Sequence, residues 1–178
     1  MTVIRPFNGV RPSIAASVFL AETCAVIGDV AIGEDSSIWY ATVIRGDVMP
    51  IRIGARTSIQ DGTIIHVTSG KFGTEVGDDC TVGHAAILHA CVVESFCLVG
   101  MGSTILDGAR IGTGSLVGAG ALVTPGTVIP PNSLVLGSPA KVKRPVNDAE
   151  REQIRYGALH YVELARRYLA SDPGASVV

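Results

Sequence analysis

The chain has 178 residues, a length that suits one domain or one domain with a short appendage. Only 17% of the residues are charged and the net charge is −2, which leaves no basic footprint for nucleic acid or an anionic membrane. No apolar run approaches the ~20 residues of a membrane span, and the N-terminus lacks the layout of a signal peptide. We therefore expect a cytoplasmic protein.

An aliphatic residue recurs every six positions through most of the chain. Glycine often follows it, and a small side chain usually stands four positions after it. A period of six fits neither a helix nor a plain alternating strand; it is typical of short strands joined by tight corners in a parallel β-helix. The aliphatic positions are Ile14, Leu20, Val26, Ile32, Ile38, Ile44, Ile53, Ile59, Ile65, Val76, Val82, Leu88, Val93, Val99, Ile105, Ile111, Val117, Val123, Ile129 and Val135.

Three hexapeptides make one triangular rung, and adjacent rungs stack ~4.8 Å apart like neighbouring strands. The sequence therefore predicts an all-β fold, a parallel β-helix of about seven triangular rungs over residues 1–140. Known hexapeptide β-helices coil left-handed, and we adopt that handedness from the likeness because periodicity does not reveal it.

The four cysteines follow the same repeat. Cys24, Cys80 and Cys97 occupy small-residue positions, and no CxxC pair exists. We expect these three to be buried core thiols rather than parts of a disulfide or a structural zinc site. Cys91 lies outside these positions and has no assigned role.

The repeat changes register at three places. Three extra residues fall within 44–53, five fall within 65–76, and one residue is missing within 88–93. All three places adjoin a histidine or the tripeptide Arg45-Gly46-Asp47. Departures from a strict repeat are where functional residues are usually found.

Residues 141–178 lack the repeat and are predicted to form a C-terminal helix and tail that pack on the prism. Asn147 or Asp148 can cap this helix, which is expected to run to about Leu169. A frayed tail is expected from Ser171. The apolar face of the helix is expected to contain Ile154, Leu159, Val162 and Leu169.

Two histidines follow the same aliphatic column of the prism. Rungs of three hexapeptides align the aliphatic residues Ile44, Ile65, Leu88 and Ile105. The residues that follow them stack on one outer face, so His66 and His89 lie on successive rungs, ~4.8 Å apart at the backbone. Two imidazoles this close can share one metal ion.

His84 belongs to a different face, because it follows Val82 by two positions. A face of six extended residues is ~20 Å long, so His84 does not readily reach a metal held by His66 and His89 of its own chain. In a three-fold trimer of parallel prisms, the His66/His89 face of one chain can meet the His84 face of the next. The prediction is a homotrimer with three metal sites, each at an interface.

Three neutral imidazoles suit Zn2+, or Co2+ or Fe2+, with a coordination position left open for water. Any single histidine could instead be a surface or hydrogen-bonded structural residue. That structural role is assigned to His160, which fits neither column.

Four motifs follow one another along the repeat: Arg45-Gly46-Asp47, Gln60-Asp61-Gly62 with His66, Val82-Gly83-His84 with His89, and Gly137-Ser138-Pro139-Ala140. Together they resemble the gamma-class carbonic anhydrases and their bacterial homologues, over nearly the whole chain. The resemblance implies a left-handed β-helix homotrimer with zinc, iron or cobalt bound between subunits. It also implies that the three histidines of these motifs are the metal ligands.

The resemblance further implies roles for polar residues near the metal. Gln60 matches a residue that contacts the metal-bound water or bicarbonate, and Tyr161 matches a tyrosine that approaches the same water. Arg45, Asp47 and Asp61 match a polar network at the subunit contact, with an ion pair between Arg45 and Asp61. The alternatives are that the two aspartates only hold the trimer together and that Tyr161 only packs the helix.

The implied activity is reversible hydration of carbon dioxide to bicarbonate by a metal-bound hydroxide. The chain departs from the family pattern at two places where glutamates serve proton transfer. Val48 follows Arg-Gly-Asp, and the loop at residues 68–74 offers only Lys71. We therefore expect slow proton transfer to limit turnover.

Three other functions remain open. The same centre could act as a metal-dependent thioesterase or other acyl hydrolase. Acyl transfer is common among hexapeptide prisms, although those enzymes generally use a lone catalytic histidine and no metal. A catalytically weak trimeric metal-binding or assembly protein is the non-enzymatic alternative.

Overall fold

The computed structural model describes residues 2–171, and the tail expected beyond Ser171 lies outside the described residues. The chain is a parallel β-helix of about seven turns followed by one helix, as the repeat predicts. Within residues 2–171, no helix is both long and apolar enough to cross a membrane.

Most strands are short because a corner interrupts the chain after most hexapeptides. Their bounds are β1 (Val3–Arg5), β2 (Ser13–Ile14), β3 (Phe19–Leu20), β4 (Ala25–Ile32), β5 (Ser37–Ile38), β6 (Val43–Ile53), β7 (Ser58–Ile59), β8 (Ile64–His66), β9 (Thr74–Val76), β10 (Thr81–Val82), β11 (Ile87–His89), β12 (Val92–Val93), β13 (Leu98–Val99), β14 (Thr104–Ile105), β15 (Arg110–Ile111), β16 (Leu116–Val117), β17 (Leu122–Val123), β18 (Val128–Ile129), β19 (Ser133–Gly137) and β20 (Ala140–Pro145). The helix α1 spans Asp148–Ser171.

The strands stack into three faces of a prism. The histidine face consists of the start of β6 with β8, β11, β14 and β17. The charged face consists of the end of β6 with β9, β12, β15 and β18. The helix face consists of β3, β5, β7, β10, β13, β16 and β19. Pairing along each face is parallel, so every rung repeats the direction of the one before it.

The aliphatic repeat forms the core. In the column behind the histidine face, Ile44 pairs with Ile65, Ile65 with Leu88 and Leu88 with Ile105, which confirms the predicted register. All four are fully buried, and each contributes roughly 1.5–3 kcal/mol through burial. The four cysteines are buried free thiols, and Cys91 also lies in the core.

A hairpin that the repeat does not predict ends the prism. Strand β20 returns antiparallel to β19, with Gly137 and Ala140 as the partners nearest the turn. Because β20 pairs with the last parallel strand of the helix face, the chain is turned toward the start of α1.

The helix begins with a reciprocal cap. Asn147 Oδ1 accepts the backbone N–H of Glu150 at 2.8 Å, and a Glu150 carboxylate oxygen accepts the backbone N–H of Asn147 at 2.8 Å. Arg144 adds two side-chain bonds to the same carboxylate. Of the two predicted caps, the structure uses Asn147.

The buried face of α1 consists of Ile154, Ala158, Val162 and Ala165. The expectation that Leu159 lies on this face is wrong, because the helical spacing turns Ala158 inward and leaves Leu159 52% exposed. In the C-terminal half of the helix, Tyr161 and Tyr168 pack against the aromatic rings of Phe19 and Trp39 on the prism.

Candidate metal centre

Two histidines meet on the histidine face. His66 ends β8, His89 ends β11, and the two are aligned as neighbours in the parallel pairing. His66 Nδ1 lies 3.3 Å from His89 Nε2, and the ring centroids are 5.3 Å apart. The predicted stacking of these residues on successive rungs is therefore what the structure contains.

A carboxylate holds the far side of each ring. His66 Nε2 lies 3.0 Å from Asp47 Oδ1, and His89 Nδ1 lies 2.7 Å from Asp107 Oδ1. A carboxylate only accepts hydrogen bonds, so these ring nitrogens carry the protons in the neutral imidazoles. His66 Nδ1 and His89 Nε2, which face each other, then carry lone pairs directed at the space between the two rings.

This arrangement fits a metal ion. Two nitrogens bound to one tetrahedral zinc at ~2.0–2.1 Å lie ~3.3–3.4 Å apart, and the spacing between His66 and His89 is 3.3 Å. Carboxylates on the outer nitrogens of metal-binding histidines fix the tautomer and the ring orientation. We call His66 and His89, with Asp47 and Asp107, the paired-histidine half-site.

Asp47 reaches His66 because β6 bends at the first register break. The pairing between β4 and β6 shifts after Gly28, and a β-carbon on Gly46 would come within 2.5 Å of the Asp29 carbonyl oxygen. Glycine at that position therefore allows the close approach. Burial raises the pKa of Asp47, but hydrogen bonds from Arg45 and His66 outweigh it and hold the pKa below its ordinary value.

Asp107 is a site residue that sequence reasoning missed. The repeat places Leu106 in register with the histidines, whereas Asp107 lies one position further toward the corner. Hydrogen bonds from Thr68 and His89 lower the pKa of Asp107 below its ordinary value. An acidic residue directly after an apolar outer position was the available signal.

His84 lies at the corner after β10, with its Nδ1 2.7 Å from Asp61 Oδ2. Among residues 2–171, no three His, Cys, Asp or Glu side chains are placed to hold a metal ion together. We call His84 and Asp61 the single-histidine half-site. One chain thus carries two separate parts, as expected from the position of His84 on another face.

The expected ion pair between Arg45 and Asp61 does not form within the described chain. Arg45 pairs with Asp47, and Asp61 lies against His84 instead. Arg45 therefore pairs with a residue of the paired-histidine half-site, and Asp61 pairs within the single-histidine half-site. A pair between Arg45 and Asp61 of different subunits stays a prediction.

Gln60 and Tyr161 both lie toward the single-histidine half-site. Gln60 directly precedes Asp61 and is 5% exposed. Tyr161 packs edge-on against Trp39 with ring centroids 5.7 Å apart; burial, and then the charge of Asp61, raise its pKa. His160 stacks on Tyr156 along the helix, which agrees with its predicted place apart from the other histidines.

An apolar stripe runs beside the paired-histidine half-site. Its members are outward residues of successive rungs on the histidine face, Val43, Ile64, Ile87 and Leu122, with the polar Thr104 between the last two. Ile64 is 44% exposed and Ile87 is 41% exposed. Exposed apolar side chains on two neighbouring rungs, as at Ile64 and Ile87, point to an interaction surface.

No protein-family model matches the chain. It is 49% identical to a carbonic anhydrase of Geobacillus kaustophilus, over 94% of this chain and 92% of that protein. It is also 46% identical to the mitochondrial gamma carbonic anhydrase 2 of Arabidopsis thaliana, over 90% of this chain and 60% of that protein.

A solved structure from Bacillus cereus has the same fold. It is 45% identical in sequence, with a TM-score of 0.94, over 96% of this chain and 99% of that one. That protein was provisionally named an acetyltransferase. The fold and the sequence relationship are therefore close, while the names attached to the relatives divide between two chemistries.

Proposed function

Since the chain belongs to the gamma carbonic anhydrase family, we propose that it catalyses reversible hydration of carbon dioxide to bicarbonate at a metal centre shared between subunits. The observation that carries the proposal is the pair of facing nitrogens of His66 and His89, 3.3 Å apart. Both rings are oriented by carboxylates, which is the arrangement of metal-binding histidines.

The proposed assembly is a homotrimer. The paired-histidine half-site supplies two nitrogens, and a structural or catalytic zinc requires at least a third protein ligand. His84 on another face of a neighbouring copy can supply it, and the apolar stripe around Ile64 and Ile87 offers the surface for that copy. A ring with three-fold symmetry closes when the same two faces meet at every interface.

His66 and His89 of one subunit and His84 of the next would hold the metal, and three imidazoles suit zinc, iron(II) or cobalt. When bound, such an ion acts as a Lewis acid that lowers the pKa of water to about 7, a value known from carbonic anhydrase itself rather than from this structure. Asp47 and Asp107 keep the two rings in the binding tautomer. We assign to Gln60 the orientation of the nucleophile or of bicarbonate by its amide, and to Asp61 the orientation of His84.

Proton export is the expected weak step. Val48, which follows Asp47 directly, is apolar and 44% exposed, so it offers no carboxylate at the edge of the paired-histidine half-site. A proton that leaves the centre must then reach solvent buffer without a side-chain relay. Turnover is therefore expected to rise with buffer concentration.

Acyl hydrolysis is the second candidate, and one observation favours it. A cavity of ≈240 Å3 beside Asp47 is lined by the apolar side chains of Phe7, Val10, Val48 and Met49, among others. Such a cavity could accept the acyl group of a thioester or ester. A trimeric metal-binding protein without activity would retain the same centre and is separated from both candidates by assay.

The test is stopped-flow carbon dioxide hydration by the protein reconstituted with zinc, or anaerobically with iron(II). We expect activity well above buffer that disappears in His89→Ala, because one metal ligand is lost, and that persists in the matched control His160→Ala. A protein that holds one metal per chain but hydrates no carbon dioxide would overturn the proposal. Thioester hydrolysis by that same sample would then support the second candidate.

A further inference from the structure

The side chain of Asp107 links His89, a candidate metal ligand, to the loop inserted at the second register break. Its Oδ1 accepts the Nδ1–H of His89 at 2.7 Å, and its Oδ2 accepts the hydroxyl of Thr68. Thr68 lies in the insertion of the second register break, 39 residues earlier in the chain. Both oxygens of the carboxylate are therefore committed, one to the histidine and one to the loop.

The loop is itself fixed on the prism. Thr68 and Phe72 form an isolated antiparallel bridge that closes it. The ring of Phe72 lies near Gly108, where an added β-carbon would stand 3.7 Å from it. Gly108 donates its backbone N–H to Ala90 at 2.7 Å, so the segment that carries Asp107 is tied to the rung of His89.

We propose that Asp107 and Thr68 are positioning residues that hold His89 with its Nε2 directed at the metal, and that the insertion within 65–76 brings Thr68 to Asp107. This inference rests on the proposed metal centre and deepens it. A side-chain hydroxyl restrains the carboxylate, and the carboxylate restrains the imidazole, so the loop sets the orientation of a ligand that it does not touch.

The two carboxylates of the half-site differ in how they are held. Asp47 is restrained by Arg45, two residues away on the same strand. Asp107 has no such neighbour pairing among the described contacts and is restrained from the inserted loop instead. Loss of the Thr68 hydroxyl should therefore be felt at His89 and not at His66.

The test compares Asp107→Ala, Asp107→Asn and Thr68→Val with Asp79→Asn. Asp79 is the matched control because both of its carboxylate oxygens also accept hydrogen bonds, but from Arg56, at 2.7 Å each. Zinc affinity is measured by competition with a chelator. The imidazole tautomers of the metal-free protein are read by 15N NMR.

Loss of an outer-shell partner typically weakens metal affinity about 10- to 100-fold, and we expect this for Asp107→Ala. Asp107→Asn keeps an acceptor for His89 and should lose less, and Thr68→Val should lose a few-fold, which is an order-of-magnitude expectation. The His89 tautomer should shift away from Nδ1–H in Asp107→Ala, while His66 keeps its tautomer. Asp79→Asn should behave like the wild type in both readouts.

Unchanged zinc affinity together with an unchanged His89 tautomer in Asp107→Ala would overturn the inference. Thr68→Val keeps the volume of the side chain, so it provides the readout if Asp107→Ala fails to fold. If the wild type binds zinc but hydrates no carbon dioxide, the proposed activity fails while these affinities still decide the positioning role. If the wild type binds neither zinc nor iron(II), the metal centre on which the inference rests fails and the inference is overturned with it.

Discussion

The histidine face and the helix face have the same inner construction and opposite outer surfaces. Behind each lies a column of fully buried aliphatic side chains, for example Ile65 and Ile59. On the helix face the outward residues Ser37, Ser58 and Thr81 are buried beneath α1. On the histidine face the outward residues Ile64 and Ile87 are larger and apolar, yet they are 44% and 41% exposed.

This contrast shows how a regular fold acquires a function. The chain covers its helix face with its own helix, whose aromatic contacts to Trp39 complete that side. It leaves Ile64 and Ile87 of the histidine face uncovered beside the paired-histidine half-site. We infer that a second copy of the chain covers this face and brings the missing histidine.

The largest expected effect comes from a charged residue in the apolar stripe, which should prevent a second copy from covering the histidine face. In Ile87→Asp, a carboxylate would have to be buried between subunits without a partner, at a cost of several kcal/mol. We expect a folded monomer that binds no zinc, detected by light scattering on a sizing column and by metal analysis. Val128→Asp, a substitution at a 68% exposed position of the charged face, is the control and should leave the oligomer intact.

An Ile87→Asp protein that remained a zinc-loaded trimer would show that the stripe is not the interface. If Ile87→Asp fails to fold, Ile64→Asp is used instead, because it changes the neighbouring rung of the same stripe.

The second prediction separates the two catalytic residues expected on the side of His84. Gln60→Ala removes the amide proposed to orient the reacting oxygen, and loss of one such donor typically lowers kcat about 100-fold. Tyr161→Phe keeps the ring that packs on Trp39 and removes only the hydroxyl. Steady-state hydration kinetics and zinc content are measured for both.

If Tyr161 only packs the helix, Tyr161→Phe retains nearly full activity. A loss comparable to that of Gln60→Ala, with zinc still bound, would instead give the hydroxyl a catalytic role. Full activity in Gln60→Ala would contradict the role assigned to the amide.

The smallest expected effect concerns the cap that starts α1. Asn147→Ala should destabilise the protein by about 1 kcal/mol, because the backbone N–H of Glu150 loses its side-chain acceptor. The hydrogen bonds from Arg144, then that from Asn147, lower the pKa of Glu150 to about 2 from its ordinary 4.5. Because the folded-state pKa of Glu150 is lowered, the stability that its ionised carboxylate contributes is full above pH 4.5 and is lost as the pH falls toward 2.

Far-UV circular dichroism during denaturant unfolding, repeated across that pH window, measures the effect. Glu150→Gln should remove this part of the pH dependence. If Glu150→Gln and the wild type lose stability equally between pH 4.5 and pH 2, the cap makes no contribution through ionisation.

The sequence predicts the core almost completely because each inward position repeats, so one register fixes every column. It also places His66 and His89 side by side, since both follow that register directly. Asp107 could not be found in this way: its contact with His89 depends on how the chain turns after Leu106, which a period does not describe. The prediction for Leu159 is wrong because apolar character alone does not fix which side of a helix is buried, and packing on the prism buries Ala158 instead.

The contacts between copies of the chain cannot be predicted from the repeat, for a different reason. A single sequence shows which surfaces are apolar but not which copy covers them, so the trimer, the metal and the cytoplasmic location remain predictions. The hairpin of β19 and β20 could not be predicted either, because the six-residue period that predicts the other strands ends there.

The central claim, a metal centre divided between subunits, is tested most directly by mixing two defective variants. His84→Ala keeps the paired-histidine half-site and His89→Ala keeps the single-histidine half-site. If each site takes one half from each of two neighbours around a three-fold ring, random reassembly of equal amounts restores about one quarter of the wild-type sites.

Zinc content and carbon dioxide hydration should therefore both recover to about one quarter of wild type, while each variant alone stays at background. No recovery in mixed trimers, verified by differently tagged subunits, would contradict the divided centre and return all three histidines to separate roles.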